Sequence, residues 1–139
     1  MEVLALERTL TELDHVRLLN LLRRDARGDG FPTLRHPVED LLDTSTIVPS
    51  RRVPADLVTM NSQVVLRDLQ TQHRRSLTLC YPSDADPAMG FVSVLSPVGS
   101  SLLGLPVGGV ARWTTRAGEQ GAEIMAILFQ PEANGDYST

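Results

Sequence analysis

The sequence predicts an α+β protein: a short antiparallel helical hairpin, a stubby coiled-coil arm, followed by a β-sheet domain with one short helix. Three observations predict it. Leucines recur at helical spacing in the first 50 residues, whereas several stretches beyond Pro54 alternate apolar and polar residues in the period of a strand. The chain has 139 residues, 42% hydrophobic and 22% charged, enough to bury a core without disulfide or metal staples. The expected division places the arm at residues 1–50 and the sheet domain at residues 51–139.

Each element follows from local chemistry. Residues 1–10, with Val3, Leu4, Leu6 and Leu10, fit either a strand or a helical lead-in. Asp14 has the chemistry of an N-cap, and the helix expected after it runs from His15 to Arg24. Leu18, Leu21 and Leu22 form one face of it, and Arg23 and Arg24 suit the negative end of its dipole. Gly28-Asp29-Gly30 is expected to break the helix, with Pro32 keeping it broken. A second helix is expected from Pro37, a good first-turn residue, through Leu41 and Leu42 to about Ser45. At ~1.5 Å per residue, an arm of ~12 residues reaches about 18 Å. Pro49 and Pro54 bracket a linker, Ser50-Arg51-Arg52-Val53.

Strands are expected at Gln63–Leu69, Arg75–Tyr81, Phe91–Leu95 and Ala111–Thr114. Glu123–Phe129 is apolar enough for the interior of a sheet. A short helix is expected at Val98–Gly104, ended by Gly104 and Pro106. The polar tail from Pro131 to Tyr137 is expected to lie over the surface.

Charge and motif content exclude several functions. All 13 basic residues are arginine, against 17 acidic residues, for a net charge of −4. Neither half is a basic module, so autonomous sequence-specific DNA binding is not expected. The pairs Arg23-Arg24, Arg51-Arg52 and Arg74-Arg75 read as solvated charge at element ends. No apolar run approaches a membrane span, the N-terminus lacks a signal-peptide pattern, and the single Cys80 fits a reducing compartment. A cytoplasmic protein is expected. His15, His36 and His73 lie too far apart for a zinc motif, so no metal site or cofactor is expected. Cys80 reads as a passive strand residue pointing away from the Leu79 face. Ser96, Ser100 and Ser101 lack a nucleophile elbow, and Gly104, Gly108 and Gly109 form no phosphate loop. No catalytic residue is therefore assigned. One acidic pair, Asp25 and Asp29 near the arm tip, could hold a divalent cation, but Arg23, Arg24 and Arg27 crowd it.

Three blocks carry a family resemblance. Val53–Val64, with Met60-Asn61-Ser62, resembles the entry into the C-terminal domain of Gre-type transcription factors. Ser96–Gly108 resembles that family's Ser-Pro-…-Leu-…-Gly segment. The ending Phe129–Tyr137, together with Tyr81-Pro82 and Trp113, is similar to one branch, the regulators of nucleoside diphosphate kinase. The chain departs from the family at Gly108-Gly109, where Gly-Asp is common, and at Leu41-Leu42 and Ser45 of the second helix.

The resemblance implies an FKBP-like body and a partner, bacterial RNA polymerase, bound near its secondary channel in competition with Gre-type factors. It implies a non-catalytic transcription regulator, linked by branch to control of nucleoside diphosphate kinase. In long-armed relatives two tip carboxylates help to hold magnesium for transcript cleavage. Carried to Asp25 and Asp29, this gives the alternative of a cleavage-stimulating factor; an interaction module for another partner is a second alternative. The polymerase-facing candidates are Ser96, Pro97, Val98, Gly99, Leu102 and Gly104 at a strand-to-helix corner, with Asn61 and Ser62.

Overall fold

The computed structural model describes residues 8–29 and 37–136. It opens with a short strand, β1 (Thr9–Thr11), that runs directly into α1 (Glu12–Asp29). The helix starts earlier than Asp14 because Thr11 caps it: the Asp14 N–H donates to Thr11 Oγ1 at 3.1 Å. Asp14 therefore lies inside the first turn, correcting its assignment as N-cap. The helix also passes Arg24 and continues through Gly28, whose cost of about 1 kcal/mol within a helix is not enough to end it. Its 18 residues span about 27 Å, longer than the sequence suggested.

The second helix, α2 (Pro37–Thr44), has nearly the expected bounds. The His15 ring meets the Leu42 carbonyl oxygen at 3.2 Å, placing the start of α1 against the end of α2, as in an antiparallel pair. Strand β2 (Thr46–Val48) follows and pairs in parallel with β1, Leu10 opposite Ile47. The two helices are thus a crossover between two parallel strands, which need a long connection to pair. The expected linker is a single 3-10 turn at Ser50–Arg52.

Five further strands form one sheet: β3 (Gln63–Asp68), β4 (Arg74–Cys80), β5 (Phe91–Ser93), β6 (Val110–Thr115) and β7 (Gly118–Phe129). Their order is β5-β4-β3-β7-β6, so β7 has a neighbour on each side, but its apolar Glu123–Phe129 stretch pairs along its length only with β3 and meets β6 only at Glu123, which leaves Leu128 and Phe129 exposed. Pairing is antiparallel except between β4 and β5. Helix α3 (Pro97–Leu102) packs against β5 and β6.

Alternation in β3 and β4 aims Val64, Leu66, Leu77 and Leu79 at one core. That core also takes Leu102, Leu103 and Leu105, and, from the helical arm, Leu10, Leu18, Val38, Leu41 and Leu42. The apolar cluster is therefore continuous across residue 50. Cys80, expected to point away from the Leu79 face, is also buried, its Sγ 3.5 Å from the Val92 carbonyl oxygen. Burial pushes its thiol pKa up, leaving less of the nucleophilic thiolate. The tail departs from expectation only at its start: Pro131 and Glu132 are buried, as is Gln130 before them, whereas residues 133–136 are exposed as expected. Among the described residues no helix is long and apolar enough to cross a membrane.

Candidate functional site

The strand-to-helix corner after β5 is built by serine chemistry. Ser96 caps α3, accepting from the Gly99 N–H at 3.1 Å while its hydroxyl donates to the Ser93 carbonyl oxygen at 2.6 Å. Pro97 occupies the first turn, where its missing N–H costs nothing. Gly99 is required by close approach, since a Cβ there would lie 2.0 Å from the Ser93 carbonyl oxygen. The Ser100 and Ser101 hydroxyls donate back to the Pro97 and Val98 carbonyl oxygens, so the three serines serve the helix backbone.

The candidate residues divide by exposure. Pro97 is exposed, Ser96 and Val98 are half-buried, and Gly99, Leu102 and Gly104 are buried beneath them. Gly104 takes the left-handed conformation (φ 82°) and bonds on both sides, its N–H to the Val58 carbonyl oxygen and its carbonyl oxygen to the Thr9 N–H. It joins the arm's first strand to the sheet domain.

Asn61 and Ser62 belong to a second turn, Thr59–Ser62. Asn61, half-buried, also takes a left-handed conformation (φ 67°), and its N–H donates to the Leu79 carbonyl oxygen at 2.7 Å. Ser62 is buried, with Oγ accepting from the Thr59 N–H at 3.0 Å. The turn and the corner are held by different elements.

Around the Thr59–Ser62 turn lies a buried polar group that the sequence did not signal. The Met60 N–H donates to Asp14 Oδ2 at 3.1 Å, and the Thr59 hydroxyl donates to Glu132 Oε1 at 2.7 Å. Burial pushes the Asp14 carboxyl up to about 7, opposed by the Met60 hydrogen bond and aided by the nearby Glu132 charge. Burial likewise pushes the Tyr81 hydroxyl up to about 12, with Asp14 adding to it and Arg17 opposing it. Only the local pairing of Thr11 with Asp14 was within reach of sequence; the other partners lie 46 and 73 positions apart.

A third feature is exposed. Phe91, Thr78, Gln63 and Phe129 stand in register across β5, β4, β3 and β7, and both phenylalanines are open to solvent. Met89 and Leu128 are exposed near the two ends of this row.

Asp25 and Asp29 fall in the last turns of α1, and their side chains lie outside the described residues, as does His36. Among the described residues no group of three or more His, Cys, Asp or Glu is placed to hold a metal ion. His15 contacts a backbone carbonyl oxygen and His73 is exposed. Nothing in the described geometry assembles a nucleophile with a base; the arrangement is one of surfaces and anchors.

Residues 53–129 match the family model described as transcription elongation factor GreA/GreB, C-terminal. The regulator of nucleoside diphosphate kinase of Escherichia coli K12 is 36% identical over 129 residues, 92% of this chain and 93% of that protein. The transcription elongation factor GreA of Chlorobium limicola is 36% identical over 94 residues, 67% of this chain but only 59% of that factor. Among solved structures, the prokaryotic transcription elongation factor GreA/GreB from Nitrosomonas europaea superposes with a TM-score of 0.72 at 33% identity. That match covers 88% of this chain and all of the other.

Proposed function

The chain belongs to the GreA/GreB C-terminal-domain family, and from that premise we propose that it is a non-catalytic transcription regulator that binds bacterial RNA polymerase near the secondary channel. The observation that carries the reading is the match to a named regulator along nearly the whole of both chains, arm included. GreA, by contrast, is matched over little more than half its length, so its activity is not inherited as a whole.

The body is the docking part in this proposal, and the FKBP-like shape that the resemblance implies would carry no isomerase activity with it. The polymerase-facing residues are Pro97, Val98 and Ser96 at the exposed corner, with Asn61 in the second turn. Gly99, Leu102, Gly104 and Ser62 serve by shaping those turns from below. The setting is cytoplasmic, and the similarity to a regulator of nucleoside diphosphate kinase supports a link to that enzyme's control.

One observation keeps the cleavage-factor reading in view: α1 reaches about 27 Å and carries Asp25 and Asp29 near its far end. Association of the purified protein with core polymerase tests the proposal, with Pro97→Asp and Phe91→Asp as separate variants. Weakened binding in Pro97→Asp alone supports the corner, and weakened binding in Phe91→Asp alone moves contact to the open sheet face. No association with the unsubstituted protein removes polymerase as the partner. Addition to backtracked complexes decides the chemistry: unshortened transcripts fit a non-catalytic regulator, whereas shortening abolished by Asp25→Ala with Asp29→Ala establishes a cleavage factor.

A further inference from the structure

The segment after β7 grips one stretch of backbone at several points. The Gln130 side-chain amide donates to the Pro54 and Leu57 carbonyl oxygens, both at 2.8 Å. Two residues on, Glu132 accepts from the Thr59 hydroxyl at 2.7 Å. All three partners lie between Pro54 and Thr59, more than 70 positions away in sequence. Gln130 and Glu132 are both buried, at 2% and 7% exposure, so these bonds are made where water does not compete.

The next residue in that stretch is the one the arm holds. Met60 presents its N–H to Asp14 Oδ2, while Asp14 Oδ1 is buried without a hydrogen-bond partner. Ser62 closes the turn by accepting from the Thr59 N–H and meeting the Thr59 hydroxyl at 3.0 Å. A polar chain therefore runs from the C-terminal segment, through Thr59 and Met60, to the first turn of the arm. The charged and titratable groups around Asp14 are Glu132 from the C-terminal segment, Arg17 on its own helix and Tyr81 just after β4.

We propose that Gln130–Glu132 is a strap that sets the arm: it holds Pro54–Ser62 in the shape that presents Met60 to Asp14, and loosening it frees α1 from the body. A partly satisfied buried network is sensitive to the loss of any one member, because the remaining groups cannot turn to water. The apolar cluster is shared, but the sheet keeps its own hydrogen-bond ladder, so slackening falls on the arm first. This inference is independent of polymerase binding, since the free protein reads it.

Native-state hydrogen exchange on the full chain, at fixed pH, tests it. In Glu132→Ala, and separately in Gln130→Ala, exchange of the Met60 and α1 amides rises about tenfold, the scale of one buried hydrogen bond, while β3, β4 and β7 amides are unchanged. Glu132→Gln retains an oxygen to accept from Thr59 and stays near the unsubstituted protein. Thr59→Val removes the donor from the other side at constant shape and reproduces the tenfold rise, so the test survives if a tail variant fails to fold. Unchanged α1 protection in the alanine and valine variants overturns the strap. So does faster exchange spread evenly over arm and sheet, which means that the segment steadies the whole fold and not the arm in particular.

Discussion

The Met60 backbone N–H donates to Asp14 Oδ2 at 3.1 Å, tying the first turn of the arm helix to the turn that enters the central strand of the sheet. Asp14 is 1% exposed, so ionising its carboxyl at the joint between the two parts is costly.

A pH dependence follows from that burial. Asp14 titrates near 7 in the folded chain against an ordinary value of 3.8, so the native state binds its proton more tightly than the unfolded state. Its stabilising contribution is fully present below pH 3.8 and is lost as pH rises through 7. The separation of the two values corresponds to on the order of 4 kcal/mol. Asp14→Asn removes the titration and keeps an oxygen for Met60, so its stability relative to the unsubstituted protein improves between pH 4 and pH 8. Urea unfolding at both pH values checks this, and parallel profiles for the two proteins contradict it.

Leu18 tests whether arm and body melt together. It is fully buried in an apolar cluster that includes Val58 and Met60 as well as Val38 and Leu42. Leu18→Ala leaves a cavity costing about 2–5 kcal/mol. Because the cluster is shared, helix and sheet signals are expected to fall in one cooperative transition at lower denaturant. Separate transitions, seen by circular dichroism and Trp113 fluorescence, mean that the arm folds apart from the sheet.

Gly99 tests the corner. An added methyl would sit 2.0 Å from the Ser93 carbonyl oxygen, which is backbone and cannot swing away. Gly99→Ala therefore forces α3 off β5 and costs about 3 kcal/mol, toward the upper end of overpacking penalties. The expected accompaniment is weakened polymerase association even where the protein remains folded, because Pro97 and Val98 move with the helix.

Much of this architecture was legible in the chain because it is locally written. The alternation of Leu77 and Leu79, the Pro97 first turn and the Leu18–Leu21–Leu22 face each decide their element within a few residues. What escaped is non-local. The strands around Leu10 and Ile47 are three residues each and exist only because they meet across the helical crossover. Asp14 has N-cap chemistry, but Thr11 was nearer the true helix start and left the carboxylate free to reach Met60. Gln130 and Glu132 look like surface residues in sequence; partners more than 70 positions away bring them inside. At the candidate site the corner was legible as a turn, whereas the burial of Leu102 and Gly104 beneath Pro97 depends on the packed fold.

Competition with a GreA factor for bacterial core RNA polymerase tests the central claim most directly. This protein is expected to displace labelled GreA in a concentration-dependent manner, as two occupants of the secondary-channel entrance must. Binding that leaves GreA in place would contradict that location, and absence of binding would contradict the polymerase partnership altogether.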